Sequence, residues 1–231
     1  MMVAANCSST GSSVMSSWEN EDFCSNLQQN GKVNDQGIHH ESIQNNNTLV
    51  VPDSEPAPSD HLLAHEFLLS SFVKTPEVEW DNYEHLTTPI AIFRSWEQFW
   101  RVILHIQRPT EIQARCYIHV FKDGIKPLWE DPGNILGGRF MITYRKKDPM
   151  ADLHWEKMLL AFLGSNFHDS LISGIVLSVK RNNLVISVWI NDSNKREKLN
   201  NLVFDLKTYL DLDDETRIRF MKHKEDTFVH C

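Results

Sequence analysis

The chain of 231 residues is short of cysteine, glycine and positive charge, and each shortage removes a class of protein. Its four cysteines, Cys7, Cys24, Cys116 and Cys231, are scattered and form no CxxC unit, so a disulfide framework is excluded and reduced thiols of the cytosol or nucleus fit. No apolar run approaches the ~20 residues of a membrane span, and no basic stretch precedes an apolar block at the start. A soluble protein without membrane contact is expected. The nine glycines build no phosphate-cradling loop, and neither an HExxH motif nor the paired carboxylates of metal-dependent hydrolases occur. His61 and His65 stand four apart and His39 adjoins His40, but no third ligand is suggested, so neither metal, cofactor nor catalysis is expected. With 23 basic against 31 acidic residues, the chain lacks the basic stripe that grips long nucleic acid by its phosphates.

The charge is unevenly placed. Residues 1–60 hold eight acids against Lys32, so seven of the net eight negative charges lie there. That segment is rich in Ser, Asn, Gln and Asp, with low-complexity pieces such as SSTGSSVMSS and QNNNT. It reads as a disordered acidic tail, because few large apolar side chains offset the entropy of ordering. Trp18 and Phe23 within it could form a short docking element. The proline- and acid-rich VPDSEPAPSD marks the boundary, and 61–231 is expected to be one folded domain of near-neutral charge.

Periodicity supplies the elements. Glu66 to Lys74, Pro89 to Phe93, Tyr117 to Phe121, Gly138 to Tyr144, Gly174 to Lys180, Leu184 to Trp189 and Ile218 to Met221 read as strands. Ser95-Trp-Glu-Gln98 is a capping box that opens a helix reaching about Gln107. A second helix is expected from about Met150 to Leu163, with Leu153, Met158, Leu159, Phe162 and Leu163 on its apolar face, and a third from Lys195 to Leu210. Strands joined mostly by hairpins, with three helices inserted, predict an α+β fold in which helices back one face of a curved antiparallel sheet. The other face is left for a ligand.

Trp129 and Glu130 lie in the loop of Phe121-Lys-Asp-Gly-Ile-Lys-Pro-Leu-Trp-Glu-Asp131. An indole face stacks on a base, and a carboxylate accepts two parallel hydrogen bonds from the N1–H and N2–H2 edge that only guanine presents. A guanine methylated at N7 carries positive charge, which Trp favours further.

With Ser95-Trp-Glu-Gln-Phe-Trp100, Gly137-Gly-Arg139, Trp155 with Leu159 to Gly164, and Val188-Trp189, these segments resemble the cap-binding translation initiation factor 4E family in order and spacing, across residues from about 61 to 228. The resemblance implies a cupped antiparallel sheet of about eight strands with three helices on the convex face, and binding of the 7-methylguanosine cap of messenger RNA. Trp129 and Glu130 match one stacking ring and the guanine-reading carboxylate. The opposite ring, a tryptophan in the classical factors, becomes Tyr83; Trp80 competes for the role, and spacing favours Tyr83. Arg139 and Lys180 match phosphate-holding residues, whereas two later basic positions are Asn182 and Val185, with Arg181 a candidate replacement. Trp189 matches the residue beside the N7-methyl group. On the convex side the family binds proteins carrying a Tyr-x-x-x-x-Leu-hydrophobic helix, and His61, Leu62, Trp96, Trp100, Glu156, Lys157 and Leu160 fall on that surface. Glu156-Lys157 stands where classical members have Leu-Glu, and His61-Leu62-Leu63 replaces His-Pro-Leu. Together the departures imply the 4E homologous protein branch, whose members repress translation, with weakened cap affinity and a cytoplasmic location, the nucleus and mRNA granules being further compartments. An adaptor that keeps the fold but has little cap affinity is the alternative.

Overall fold

The computed structural model describes residues 55–76, 83–167, 171–213 and 215–224, and the strand Phe228–His230. The expected tail and Trp80 lie outside the described residues.

Eight strands form: β1 (Leu62–Val73), β2 (Thr88–Ser95), β3 (Cys116–Lys122), β4 (Gly138–Arg145), β5 (Ile172–Val179), β6 (Asn183–Ile190), β7 (Arg219–Lys222) and β8 (Phe228–His230). They make one sheet in the order β2-β1-β3-β5-β6-β4-β7-β8, with every neighbouring pair antiparallel. Only β1–β2, β5–β6 and β7–β8 are neighbours in both sequence and space. This corrects the expectation of mostly hairpin connections, and the reason is that each long helix sits between strands that do not pair. The strand β8, which the sequence pattern does not reveal, extends the edge beyond β7.

Four helices occur: the single turn α1 (Tyr83–Leu86), then α2 (Trp96–Ile103), α3 (Pro149–Leu163) and α4 (Arg196–Leu210). At the start of α2, Ser95 Oγ accepts the Gln98 N–H at 3.2 Å. The return arm differs from a reciprocal capping box, since Gln98 Oε1 accepts from the Arg94 N–H at 2.7 Å. This helix stops at Ile103 and not near Gln107, because the His105 and Ile106 N–H groups bond three residues back and Pro109 follows. Asp148 caps α3 by accepting the Met150 N–H at 3.0 Å, with Pro149 in the first helical position.

Strand side chains alternate between faces, and the alternation separates two environments. Phe67, Leu69, Ile118, Val120, Ile175, Leu177, Ile186 and Val188 join Phe99 of α2, Trp155, Met158 and Phe162 of α3, and Leu202 and Leu206 of α4 in one buried core. Phe162 meets Phe67 edge-on, 5.0 Å between ring centroids. The intervening residues face the opposite, concave side, where Phe121, Val176 and Trp189 form a second small cluster with Tyr117 and Ile125. Leu153 does not belong to the apolar face of α3 as expected; it is 44% exposed, because Ala151, Trp155, Met158 and Leu159 set the buried stripe elsewhere.

The order of strands also shapes the loop that holds Trp129. Since β5 and β6 stand between β3 and β4, the chain from residue 123 to 137 must cross three strand spacings, ~14 Å, over the mouth of the cup.

Candidate functional site

Local polar contacts set that crossing. The wholly buried Asn134 donates through Nδ2 to the Lys126 and Leu128 carbonyls, each at 2.8 Å. Asp131 accepts from the Lys126 N–H at 3.1 Å and the Gly133 N–H at 2.8 Å. These bonds fix the backbone on both sides of Trp129 and Glu130 while leaving both side chains exposed, Trp129 by 45%. Gly137 returns the loop to the sheet; a Cβ there would stand 1.6 Å from the Ile190 carbonyl oxygen, so no other residue fits.

A cavity of about 390 Å³ opens on the concave face, lined by Tyr83, Tyr117, Pro127, Leu128, Trp129, Glu130, Arg139, Val176, Ser178, Ser187 and Trp189. It therefore gathers five of the residues singled out from the sequence, drawn from α1, the crossing loop, β4 and β6. Lys180 and Arg181 are not among them; both are exposed in the β5–β6 hairpin. A neighbouring cavity of about 410 Å³, lined by Leu68, Thr87, Pro89 and Ile125 among others, shares Pro127 and Leu128 with the first, but its lining contains no aromatic ring.

The ring of Tyr83 rests against Phe72, 4.5 Å between centroids, and its hydroxyl is hydrogen bonded to His119 Nε2 at 2.7 Å. His119 Nδ1 lies 3.2 Å from Ser70 Oγ. Complete burial holds the His119 pKa down at about 3, so the ring is neutral, and two flanking hydroxyls satisfy either tautomer. Burial likewise raises the Tyr83 hydroxyl above its ordinary value. Beside Tyr83, Glu84 Oε1 meets Lys126 Nζ at 2.7 Å, tying α1 to the loop of Trp129.

At the other end, the Arg139 guanidinium carbon lies 5.9 Å from the centre of the Trp189 ring. Burial lowers the Arg139 pKa, and its Nε is buried without an acceptor among the described residues. The Trp189 Nε1–H is in the same condition. Buried donors of this kind are rare in folded proteins unless a water or ligand completes them, and a half-buried cation is completed best by an anion. His223 packs on Trp189 with centroids 4.3 Å apart, its pKa held down at about 4 by burial first and by the Arg139 charge second.

Sequence reasoning missed Tyr117, His119 and Ser178, although alternation along β3 and β5 carried a signal for them. His223 carried none, since its place depends on β7 pairing with β4.

On the helix side, His61 N–H donates to Glu97 Oε2 at 2.9 Å and His61 Nδ1 bonds Glu97 Oε1 at 2.8 Å, while the His61 carbonyl accepts the Trp96 N–H at 3.0 Å. The course of His61-Leu62-Leu63 is thus fixed against the start of α2, and Leu62 remains 70% exposed. The imidazole holds the Glu97 carboxyl down at about 2, and Glu97 in turn raises His61. Trp96 and Trp100 are half-buried, each edge-on to Phe99. On α3, Leu160 and Lys157 are half-buried and Glu156 is exposed.

Residues 62–229 match the family described as eukaryotic initiation factor 4E. The chain is 32% identical over 180 residues to eukaryotic translation initiation factor 4E-4 of Caenorhabditis elegans, covering 77% of this chain and 84% of that protein. It is 33% identical over 165 residues to eukaryotic translation initiation factor NCBP of Arabidopsis thaliana, covering 71% and 74%. Among solved structures it is similar to Ascaris suum eIF4E-3 in complex with an m2,2,7G cap, with a TM-score of 0.68, 29% identity and coverage of 74% and 95%. It is also similar to C. elegans eIF4E-3 in complex with the 4E-binding protein Mextli and a cap analog, with a TM-score of 0.67, 25% identity and coverage of 74% and 100%. The matched span runs from the first strand of the sheet into the last, and the chain belongs to the eukaryotic initiation factor 4E family.

Proposed function

We propose that this protein binds the 7-methylguanosine cap of messenger RNA without catalysing any reaction, and that with a partner protein it restrains translation initiation. The observation that carries the reading is the single cavity in which Tyr83, Trp129, Glu130, Arg139 and Trp189 meet. The methylguanine stacks between Trp129 and Tyr83, Glu130 accepts from its N1–H and N2–H2 edge, Trp189 lies by the N7-methyl group, and Arg139 takes a phosphate. The complexes of Ascaris suum eIF4E-3 with an m2,2,7G cap and of C. elegans eIF4E-3 with a cap analog support the same ligand class.

Weak binding is expected from the cavity's own composition. Tyr83 offers a smaller π-face than Trp, and its ring and hydroxyl are already engaged by Phe72 and His119. Asn182 and Val185 supply no charge, and Lys180 and Arg181 stand outside the cavity. A low-affinity reader suits delivery to chosen messages by a partner better than general initiation. The partner surface combines Trp96, Trp100 and Leu160 with the exposed Leu62 and Leu153, and the Mextli complex supports a helical partner there. Lys157 repels a partner that places a basic residue opposite it, which selects among such helices.

Titration of the full chain with 7-methylguanosine triphosphate and with GTP, followed by Trp fluorescence, tests the reading. Quenching selective for the methylated ligand is expected, and Trp129→Ala should weaken binding by about 1–3 kcal/mol with unfolding unchanged. Absence of a saturable response up to millimolar ligand overturns it in favour of the adaptor. Capture of a Tyr-x-x-x-x-Leu peptide should be lost in Trp100→Ala while the methylated ligand still binds.

A further inference from the structure

On the concave face, the strand pairings define cross-sheet rows. One row runs Arg219, Met141, Ser187, Val176, His119, and the next runs Thr143, Val185, Ser178, Tyr117. Ser187, Val176, Ser178 and Tyr117 are cavity floor. His119 is held neutral by burial, so Arg219 is the charged side chain of the two rows. It does not stay in its own row: its Nη2 donates to Thr143 Oγ1 at 2.9 Å, which carries the guanidinium into the second row beside Val185. Thr143 is exposed, so the group bonded to it faces solvent at the rim of the cup. β7 lies two strand spacings, ~10 Å, from β6, within reach of a chain of phosphates leaving Arg139.

We infer that Arg219, anchored on Thr143, is a second phosphate-holding residue of the cavity, placed to grip the phosphates distal to the methylguanine. The inference rests on the cap-binding reading above and names the cation that supports the outer part of that ligand. A guanidinium suits the task because one edge is spent on Thr143 while its remaining N–H groups keep a fixed direction for phosphate oxygens. The hairpin cations Lys180 and Arg181, by contrast, extend from a turn that does not line the cavity.

The test compares the full-length protein with Arg219→Gln, titrating each with 7-methylguanosine mono-, di- and triphosphate, with GTP and with inorganic tripolyphosphate, at several salt concentrations. Wild type should bind the methylated triphosphate more tightly than the monophosphate. In Arg219→Gln that increment should fall roughly tenfold, as expected for one charge-assisted contact, with monophosphate affinity within about twofold of wild type. The slope of log affinity against log salt should drop by about one. Adding Val185→Lys to Arg219→Gln should restore part of the loss, which a purely structural role of Arg219 would not allow. Unchanged triphosphate affinity, or an equal loss for mono- and triphosphate, overturns the inference and leaves cap binding standing. Equal binding of tripolyphosphate and the methylated triphosphate shows a general anion site and overturns it too. Wild type that binds none of the methylated ligands overturns both readings at once.

Discussion

The helix face and the concave face are built from the same strands, yet they are filled by opposite rules. Toward the helices the alternate positions carry Phe67, Leu69, Val120, Leu177 and Ile186, hydrocarbon closed over by α2, α3 and α4. Toward the cup they carry Ser70, His119, Ser178, Ser187, Arg139 and Trp189, so polar atoms are taken out of water and some are left without partners. Apolar burial stabilises by roughly 25 cal/mol per Å², whereas each unsatisfied buried polar group costs about 1–3 kcal/mol. The helix face therefore supplies the stability that the cup consumes. Keeping unsatisfied donors such as Arg139 Nε makes sense only where a ligand completes them.

Three measurements break or sharpen this contrast. The largest effect is expected for Phe99→Ala, which removes a ring packed edge-on to Phe93, Trp96 and Trp100; urea unfolding should show a loss of about 3–5 kcal/mol. A loss under ~1 kcal/mol would mean that the helix face is not the reservoir. Next comes acid sensitivity of the cup. An unfolded histidine takes its proton near 6.5 while folded His119 takes one only near 3, so between those values the unfolded chain binds more protons and stability falls as pH drops. About 3 kcal/mol should be lost from this group between pH 6.5 and pH 4, and His119→Asn should flatten the profile accordingly. A profile parallel to wild type would move the sensitivity to the other histidines, such as His154 between α3 and β4. The smallest effect is expected for Ser95→Ala, about 1 kcal/mol in the same unfolding assay, since one N–H at the start of α2 loses its acceptor. A loss as large as that of Phe99→Ala would show that the contact of Ser95 with Asp60 matters more than the helix cap.

Much of this was legible in the residues. SWEQ marks the start of α2, and alternation marks β3, β5 and β6, because helix caps and strand faces depend on neighbours a few positions away. The Trp129-Glu130 pair stands out for the same reason, flanked by residues that hold its own loop. Leu153 was misplaced because helical spacing gives a stripe but not its centre, which Trp155 and Met158 decide by packing. Lys180 and Arg181 lie off the cavity because hairpin length, not residue type, sets where a turn projects. Arg219 and His223 gave no signal, since both act through β4 and β6 from a strand ~30 or more positions later in the chain.

By itself, the sequence determined the elements, the family and the chemistry of Trp129 with Glu130, since these rest on short-range order and on side-chain identity. Only the tertiary structure decided the order β3-β5-β6-β4-β7, and with it everything that depends on side chains brought together across the sheet. That order stretches the Trp129 loop over the cup, sets Tyr83 on His119, leaves Arg139 half-buried over Trp189, and places Arg219 at the rim. The physical reason is that pairing between distant strands is selected by burial of the whole helix face at once, a quantity no local stretch of residues contains.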